Sequence, residues 1–363
     1  MVLDREATIG TQDHPQRLLS LDMARGLAVL GMIYVHFVPA EDGTTILERV
    51  CASLVQFLES KTAVLFCVLV GMTLALQLQR VRTGNESRFI VRRALVLAAG
   101  GVAMHFLVWS TEILFPLGLM MLVASVILRK GIKALVSTSV MLLIAAPAAF
   151  AWLGHYAITD WTEDDTHVGE RIFGLATVRF IVFDGHYPLL PWTVFLLLGA
   201  ALVRVGWNSP NRSKRWFWCG FIVWVTMQLS TGWVSLNEKI LGNVAPYLES
   251  TWIPTTIPFV MLTGASAVTL IAGLSWCENS GRLLRAVMPV VLLGRASLTH
   301  YVVHICAVFA PLRLAFPDED WPLSVGLSVA VAYVAIALPV TALWFRRYSR
   351  GPVEMLWAFA AGR

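Results

Sequence analysis

The chain has 363 residues, of which 57% are hydrophobic and 14% charged, whereas a soluble domain carries about 25% charged residues. With a mean hydropathy of +0.69, this excludes an ordinary soluble domain and implies a multi-span membrane protein. The basic balance does not indicate nucleic acid, because Lys and Arg fall in short clusters between apolar runs, as they do in cytoplasmic membrane loops.

The five cysteines are odd in number, scattered and without a CxxC pair, so they predict neither a disulfide framework nor a zinc site. The first 19 residues are polar and lack the apolar core and cleavage site of a removable signal peptide. The first apolar helix is therefore expected to stay as an anchor.

Apolar runs long enough to span occur at roughly 20–39, 62–79, 89–109, 112–128, 133–153, 188–205, 214–234, 254–275, 295–312 and 322–345. Residues 282–293 read as an extra half-span or an interfacial helix. If the N-terminus is cytoplasmic, the inner segments hold 22 of the 28 Lys and Arg, and the outer segments hold 16 of the 23 acids. The expected fold is thus all-α: a polytopic membrane helical bundle of about ten transmembrane helices with both termini cytoplasmic. A short tail (1–19), the membrane domain (20–346) and a second tail (347–363) complete the layout, with no second soluble domain.

Two outer segments exceed ordinary connections. In residues 40–61, Ile46, Leu47, Val50, Leu54 and Leu58 recur at helical spacing, predicting an amphipathic helix on the outer surface. Residues 154–187 have the length of a lid or binding element.

The first span holds the most informative charges. Asp22 and Arg25 lie near its start, and His36 lies eleven residues after Arg25. Eleven residues are almost three helical turns, so both side chains share one face about 16 Å apart. Ionisable groups within a span usually face a polar path, which makes this helix the default functional element.

His36, His105, His155 and His186 fall near outer span ends, while His300 and His304 are one turn apart on one face of the ninth span. Glu112 follows His105 closely and Asp184 precedes His186. A carboxylate beside a histidine fixes its tautomer and supports general-base work, so the outer side offers a reaction centre. Near the inner boundary, Arg17, Arg25, Arg88, Arg92, Arg93 and Arg295 supply planar donors suited to phosphate. Structural alternatives stand beside these readings. The arginines can anchor topology, His300 and His304 can form an interhelical hydrogen bond, and Trp109, Trp192, Trp216, Trp218 and Trp252 can belong to interfacial belts.

Four stretches carry a resemblance. Arg17-Leu-Leu-Ser-Leu-Asp22-Met-Ala-Arg25-Gly-Leu-Ala28 resembles the opening of the transmembrane acyltransferase superfamily, which includes the bacterial acyltransferase-3 enzymes and the heparan-alpha-glucosaminide N-acetyltransferase relatives. Arg25, ten residues and His36 are similar to the acyltransferase-3 signature, in which that histidine is catalytic. Asp184-Gly-His-Tyr-Pro-Leu-Leu-Pro-Trp192 resembles a segment of the glucosaminide acetyltransferase branch, and Gly294-Arg-Ala-Ser-Leu-Thr-His-Tyr301-Val-Val-His304 a late-helix motif of these families. The tail Arg350-Gly-Pro-Val-Glu-Met-Leu-Trp357 is similar to the end of the bacterial branch called DUF418 or YeiB-like. The chain departs from acyltransferase-3 in lacking two arginines separated by two residues. It departs from the glucosaminide branch in having no histidine between His36 and His105.

The resemblance implies an acyltransferase of the bacterial inner membrane that moves an acyl group, most simply acetyl, from cytoplasmic acyl-CoA to an outer sugar, glycan or lipid-linked acceptor, without a metal. On that reading His36 is the base or acyl carrier, Glu112 or Asp184 orients it, and Tyr301 or His304 donates to the oxyanion. Arg17, Asp22, Arg25, Arg88, Arg92, Arg93 and Arg295 serve CoA, while His105, His186, Tyr187 and Trp192 serve the acceptor. Membrane lipids and a second copy of the chain are the expected partners. The rival reading is a transporter of a small polar or glycan-like solute.

Overall fold

The computed structural model describes residues 18–39, 45–81, 84–108, 111–153, 178, 180–253, 255–279, 287–317 and 321–362, with the Asp184 side chain outside that set. In chain order the main helices are α1 (Leu19–Phe37), α2 (Ile46–Leu58), α3 (Lys61–Leu78), α4 (Glu86–Leu107), α5 (Leu114–Ile127), α6 (Ile132–Leu153), α7 (Leu189–Val205) and α8 (Pro210–Leu236). They continue as α9 (Ile257–Asn279), α10 (Met288–Arg295), α11 (Ser297–Ala315), α12 (Leu323–Arg347) and α13 (Pro352–Ala360). No strand occurs among the described residues. Six helical stretches there are long and apolar enough to cross a membrane: Ile46–Leu78, α4, α8, α9, α11 and α12. The shorter α5, α7 and the first part of α6 are apolar as well.

In a bilayer the lipid is as apolar as the side chains, so helices associate through close packing and small residues. Two crossings show this. A Cβ on Gly26 of α1 would strike the Val290 carbonyl, and one on Gly294 of α10 would strike the Asp22 carbonyl. Likewise Gly71 of α3 lies against the Leu196 carbonyl, and Gly199 of α7 against that of Val68. Beside this second crossing Val68, Leu69, Met72, Trp192, Phe195 and Leu196 are fully or almost fully buried. α1 is held between α10 on one side and α3, α9 and α12 on the others.

Three expectations change. Ala296, at the start of the ninth apolar run, separates α10, which stops at Arg295, from α11, which starts at Ser297. Of the two readings of residues 282–293, an extra half-span or an interfacial helix, the second does not hold for α10, which packs inside the bundle with Val291 and Leu293 buried. In α2 the apolar stripe is turned away from the protein. Ile46, Leu47, Val50 and Leu54 are exposed, and Cys51, Ala52 and Val55 make the packing face. An exposed apolar stripe suits hydrocarbon surroundings better than an aqueous surface. Finally, Trp192 is not a belt residue. It is 0% exposed, its indole N–H donates to Thr255 Oγ1 at 3.3 Å, and it meets Phe195 edge-on.

Candidate functional site

The two halves of the centre come from α1 and α11. A helix start leaves several backbone N–H groups without partners, and a glutamate from a distant element fills that role for each. Glu278, near the end of α9, accepts from Leu19 N and Ser20 N at 3.0 Å each. Glu354, in α13, accepts from Leu298 N at 2.7 Å, Thr299 N at 3.2 Å and Thr299 Oγ1 at 2.6 Å. Each carboxylate also lies at the favourable, positive end of its helix. At the far end of α1, Trp321 Nε1 donates to the Phe37 carbonyl at 2.7 Å, so the turn that carries His36 is tied to the chain just before α12.

His36 and His304, 268 residues apart in sequence, meet there. His36 Nδ1 lies 2.9 Å from His304 Nε2, with the ring centroids 5.1 Å apart and the planes 18° apart. His304 Nδ1 lies 2.7 Å from the His300 carbonyl oxygen. A carbonyl only accepts, so His304 Nδ1 carries the hydrogen. With both rings neutral, His304 Nε2 is then an acceptor, His36 Nδ1 donates to it, and the basic lone pair of His36 is on Nε2. Backbone geometry thereby fixes the tautomers.

His300 extends the network, with Nε2 2.9 Å from Thr341 Oγ1 and Nδ1 3.0 Å from the Tyr333 hydroxyl. His300 and His304 are buried at 7% and 1% exposure, and Phe37, Phe309 and Tyr333 wall the rings. Directly after His304 the helix widens into a π turn over Ile305–Phe309. Such turns are frequent at functional sites.

Of the expected partners, Tyr301 is close. Its ring meets His304 edge-on at 5.7 Å, and its hydroxyl oxygen accepts from Ile113 N at 3.2 Å. Glu112 is buried nearby in chain terms but caps α5: its Oε2 accepts from Leu114 N at 2.5 Å and its Oε1 from Phe115 N at 2.9 Å. The ring partner shown for His36 is therefore another histidine rather than Glu112. The Asp184 side chain, Arg17, His155 and His167 lie outside the described residues. His186 sits between Phe180 and Trp252, Tyr187 lies edge-on to Trp192, and His105 is half-buried against Phe106.

The arginines gather at the other end of α1. Arg25 donates to Asp22 Oδ1 at 2.6 Å and to Thr73 Oγ1 at 2.5 Å. Arg88 and Arg92 are exposed on α4, and the Arg92 guanidinium packs against Gly362. Arg93 is stacked between Phe89, at 5.0 Å, and Trp357 of α13, at 4.0 Å. Arg295 lies over Phe345 and donates to the Ser349 carbonyl. The exposed guanidinium groups of Arg88 and Arg92 can take phosphate oxygens. Among the described residues, no group of three His, Cys, Asp or Glu could hold a metal ion.

The spacing of residues in sequence missed Glu278, Glu354, Tyr333, Thr341 and Thr73. Two of these carried a signal: Glu278 and Glu354 are acids in stretches otherwise rich in Arg, and an acid placed against that trend needs a local reason.

Residues 17–237, which contain α1 through α8, match the family described as "Heparan-alpha-glucosaminide N-acetyltransferase, catalytic", and residues 201–362 match "Protein of unknown function (DUF418)". Over 95% of its length the chain is 21% identical to the uncharacterized protein YxaH of Bacillus subtilis (strain 168), covering 94% of it. It is 25% identical to the uncharacterized protein YeiB of Escherichia coli (strain K12), covering 94% of this chain and 95% of that one. The chain belongs to the heparan-alpha-glucosaminide N-acetyltransferase catalytic family, a membrane acyltransferase-like family, and its C-terminal part is of the DUF418 type.

Proposed function

We propose that the protein is an integral membrane acyltransferase that carries an acyl group, acetyl in the simplest case, from cytoplasmic acyl-CoA to a sugar, glycan or lipid-linked acceptor on the opposite side. Ten spans, cytoplasmic termini and a bacterial inner membrane accord with the distribution of Lys and Arg. The observation that carries the reading is the His36–His304 hydrogen bond of 2.9 Å, at the opposite end of α1 from the arginines. One helix then joins a place for the donor's phosphates to a place for proton transfer.

In this reading Arg88 and Arg92 hold CoA phosphates, and the thioester reaches the His36 end along the α1 face. His36 Nε2 takes the proton from the acceptor hydroxyl or amine as its oxygen or nitrogen attacks the thioester carbon. His304 Nε2 accepts the Nδ1 hydrogen throughout and steadies the imidazolium that forms. The Tyr301 hydroxyl, already accepting from Ile113 N, keeps its own hydrogen to donate to the oxyanion. Collapse breaks the carbon–sulfur bond, and the proton on His36 passes to the leaving thiolate. Purified protein in detergent, given labelled acetyl-CoA and an envelope glycolipid extract, should move label into the extract, and His36→Ala should abolish the transfer. Absence of both acyl-CoA binding and label transfer in the intact chain would overturn the reading.

A further inference from the structure

A cavity of about 640 Å³ lies between α1, α2, α3, α8 and α9, separate from the reaction centre. On α1 it is lined by Leu27, Leu30, Gly31 and Tyr34, a stripe at helical spacing. At about 100° per residue, Tyr34 points some 200° round the helix from His36. From Leu27 to Tyr34 the groove runs about 10 Å at 1.5 Å per residue. Leu54 and Phe57 at its rim are exposed. Ile46–Leu78, α8 and α9, which form three of its sides, are all apolar enough to cross the membrane. A groove there opens on hydrocarbon, and an empty apolar space would lack packing partners.

Two polar features mark one end. Lys61 lines the groove at the first turn of α3, where the helix end also favours anions. Its ammonium lies 4.8 Å from the Phe57 ring centre and forms no ion pair with a carboxylate among the described residues, although Glu59 is close enough to act on it electrostatically. Trp224, also in the wall, has a buried indole N–H with no acceptor among the described residues. A buried donor without a partner is costly. The Phe57 ring, 6.2 Å from Trp224, shields it from the rim.

We propose that this groove binds one anionic glycerophospholipid. Its acyl chain lies along α1, its phosphate pairs with Lys61, and its ester carbonyl accepts from the Trp224 indole once the exposed Phe57 ring swings aside. Charge selects the headgroup: a cation at a membrane interface favours a net-negative lipid, whereas a zwitterionic lipid brings its own ammonium. The inference does not rest on acyl transfer, and its test is read without turnover.

The full chain, purified in detergent, would be offered equimolar phosphatidylglycerol and phosphatidylcholine with identical chains, and bound lipid would be counted by native mass spectrometry. The expected result is one retained phosphatidylglycerol, favoured about fivefold. Lys61→Ala should remove the preference and Lys61→Arg should keep it. Ser266→Phe, which places a ring in the groove, should abolish retention of both lipids. Equal retention of the two lipids by the parent protein, or an unchanged preference in Lys61→Ala, would overturn the proposal. So would dimer masses that disappear in Ser266→Phe, since a second copy would then occupy the groove. If Ser266→Phe fails to fold, the Lys61 pair alone decides.

Discussion

The two ends of α1 are built on opposite plans. At the His36 end, the His36 and His304 rings are joined to each other, His304 to the His300 carbonyl, and the His300 ring to two hydroxyls, at 2.7–3.0 Å inside an aromatic wall. At the Arg25 end, long cationic side chains lie exposed or stacked on rings, and Arg25 itself is held by Asp22 and Thr73. The first plan fixes geometry before any ligand arrives, as proton transfer requires. The second leaves flexible stems to settle around a charged ligand. Damage at the first end should therefore act on kcat, and damage at the second on KM.

The largest effect should come from His36→Ala, with turnover reduced about 10²–10⁴-fold and acyl-CoA affinity nearly unchanged. Single-turnover transfer beside equilibrium binding separates the two quantities. A matched loss of binding would move His36 from the reaction centre to the donor site. Next comes His304. Its replacement by Phe removes the acceptor that fixes the His36 tautomer, and should cost about 10–100-fold in kcat, in line with the loss of other groups that orient a functional histidine. His304→Gln retains a carbonyl oxygen able to accept from His36 Nδ1 and should recover part of the rate. Equal rates for the two variants would argue that His304 only packs.

At the other end, replacing Arg88 and Arg92 together by Ala should raise the KM for acyl-CoA about tenfold, since solvent-exposed charge pairs are worth about 0.2–1 kcal/mol each and about 1.4 kcal/mol is a factor of ten. The parent KM should rise with salt and that of the double variant should not. Salt-independent kinetics in both proteins would break the contrast between the ends. Glu354→Ala should lower stability by about 1–3 kcal/mol, because it strands two α11 N–H groups and the Thr299 hydroxyl. Thermal unfolding measures this, with Glu354→Gln expected in between.

How far the sequence reaches follows from the range of each interaction. Local spacing placed Arg25 and His36 on one helix, and His300 one turn from His304, because helical periodicity is a near-neighbour property. Positions of apolar runs likewise matched the main helices. It did not bring His36 to His304, Glu278 to Leu19 or Trp321 to Phe37, since these pairs are separated by 258 residues or more and depend on how helices cross. The break between α10 and α11 lies at Ala296, close to where the sequence divides residues 282–293 from the run at 295–312. The stripe of α2 was visible, but a periodic stripe does not say whether protein or lipid covers it.

Glu112 gives the smallest and cleanest contrast. It stands in the α4–α5 connection, 4% exposed, and accepts backbone N–H groups from Leu114 and Phe115. Burial pushes its carboxyl up to about 7 from an ordinary 4.5, against the opposite pull of those two N–H groups. In the unfolded chain the group ionises near its ordinary value. Between the two values the folded protein therefore holds more protons than the unfolded one, and stability falls as pH rises through that window. Below the ordinary value both states are protonated, and above about 7 both are ionised, so the contribution levels off on each side. Glu112→Gln keeps an acceptor for the α5 start and cannot ionise. Melting temperatures measured from pH 5 to 8 should decline more steeply for the parent protein than for this variant, and parallel curves would mean that the connection admits water freely enough to keep Glu112 charged throughout.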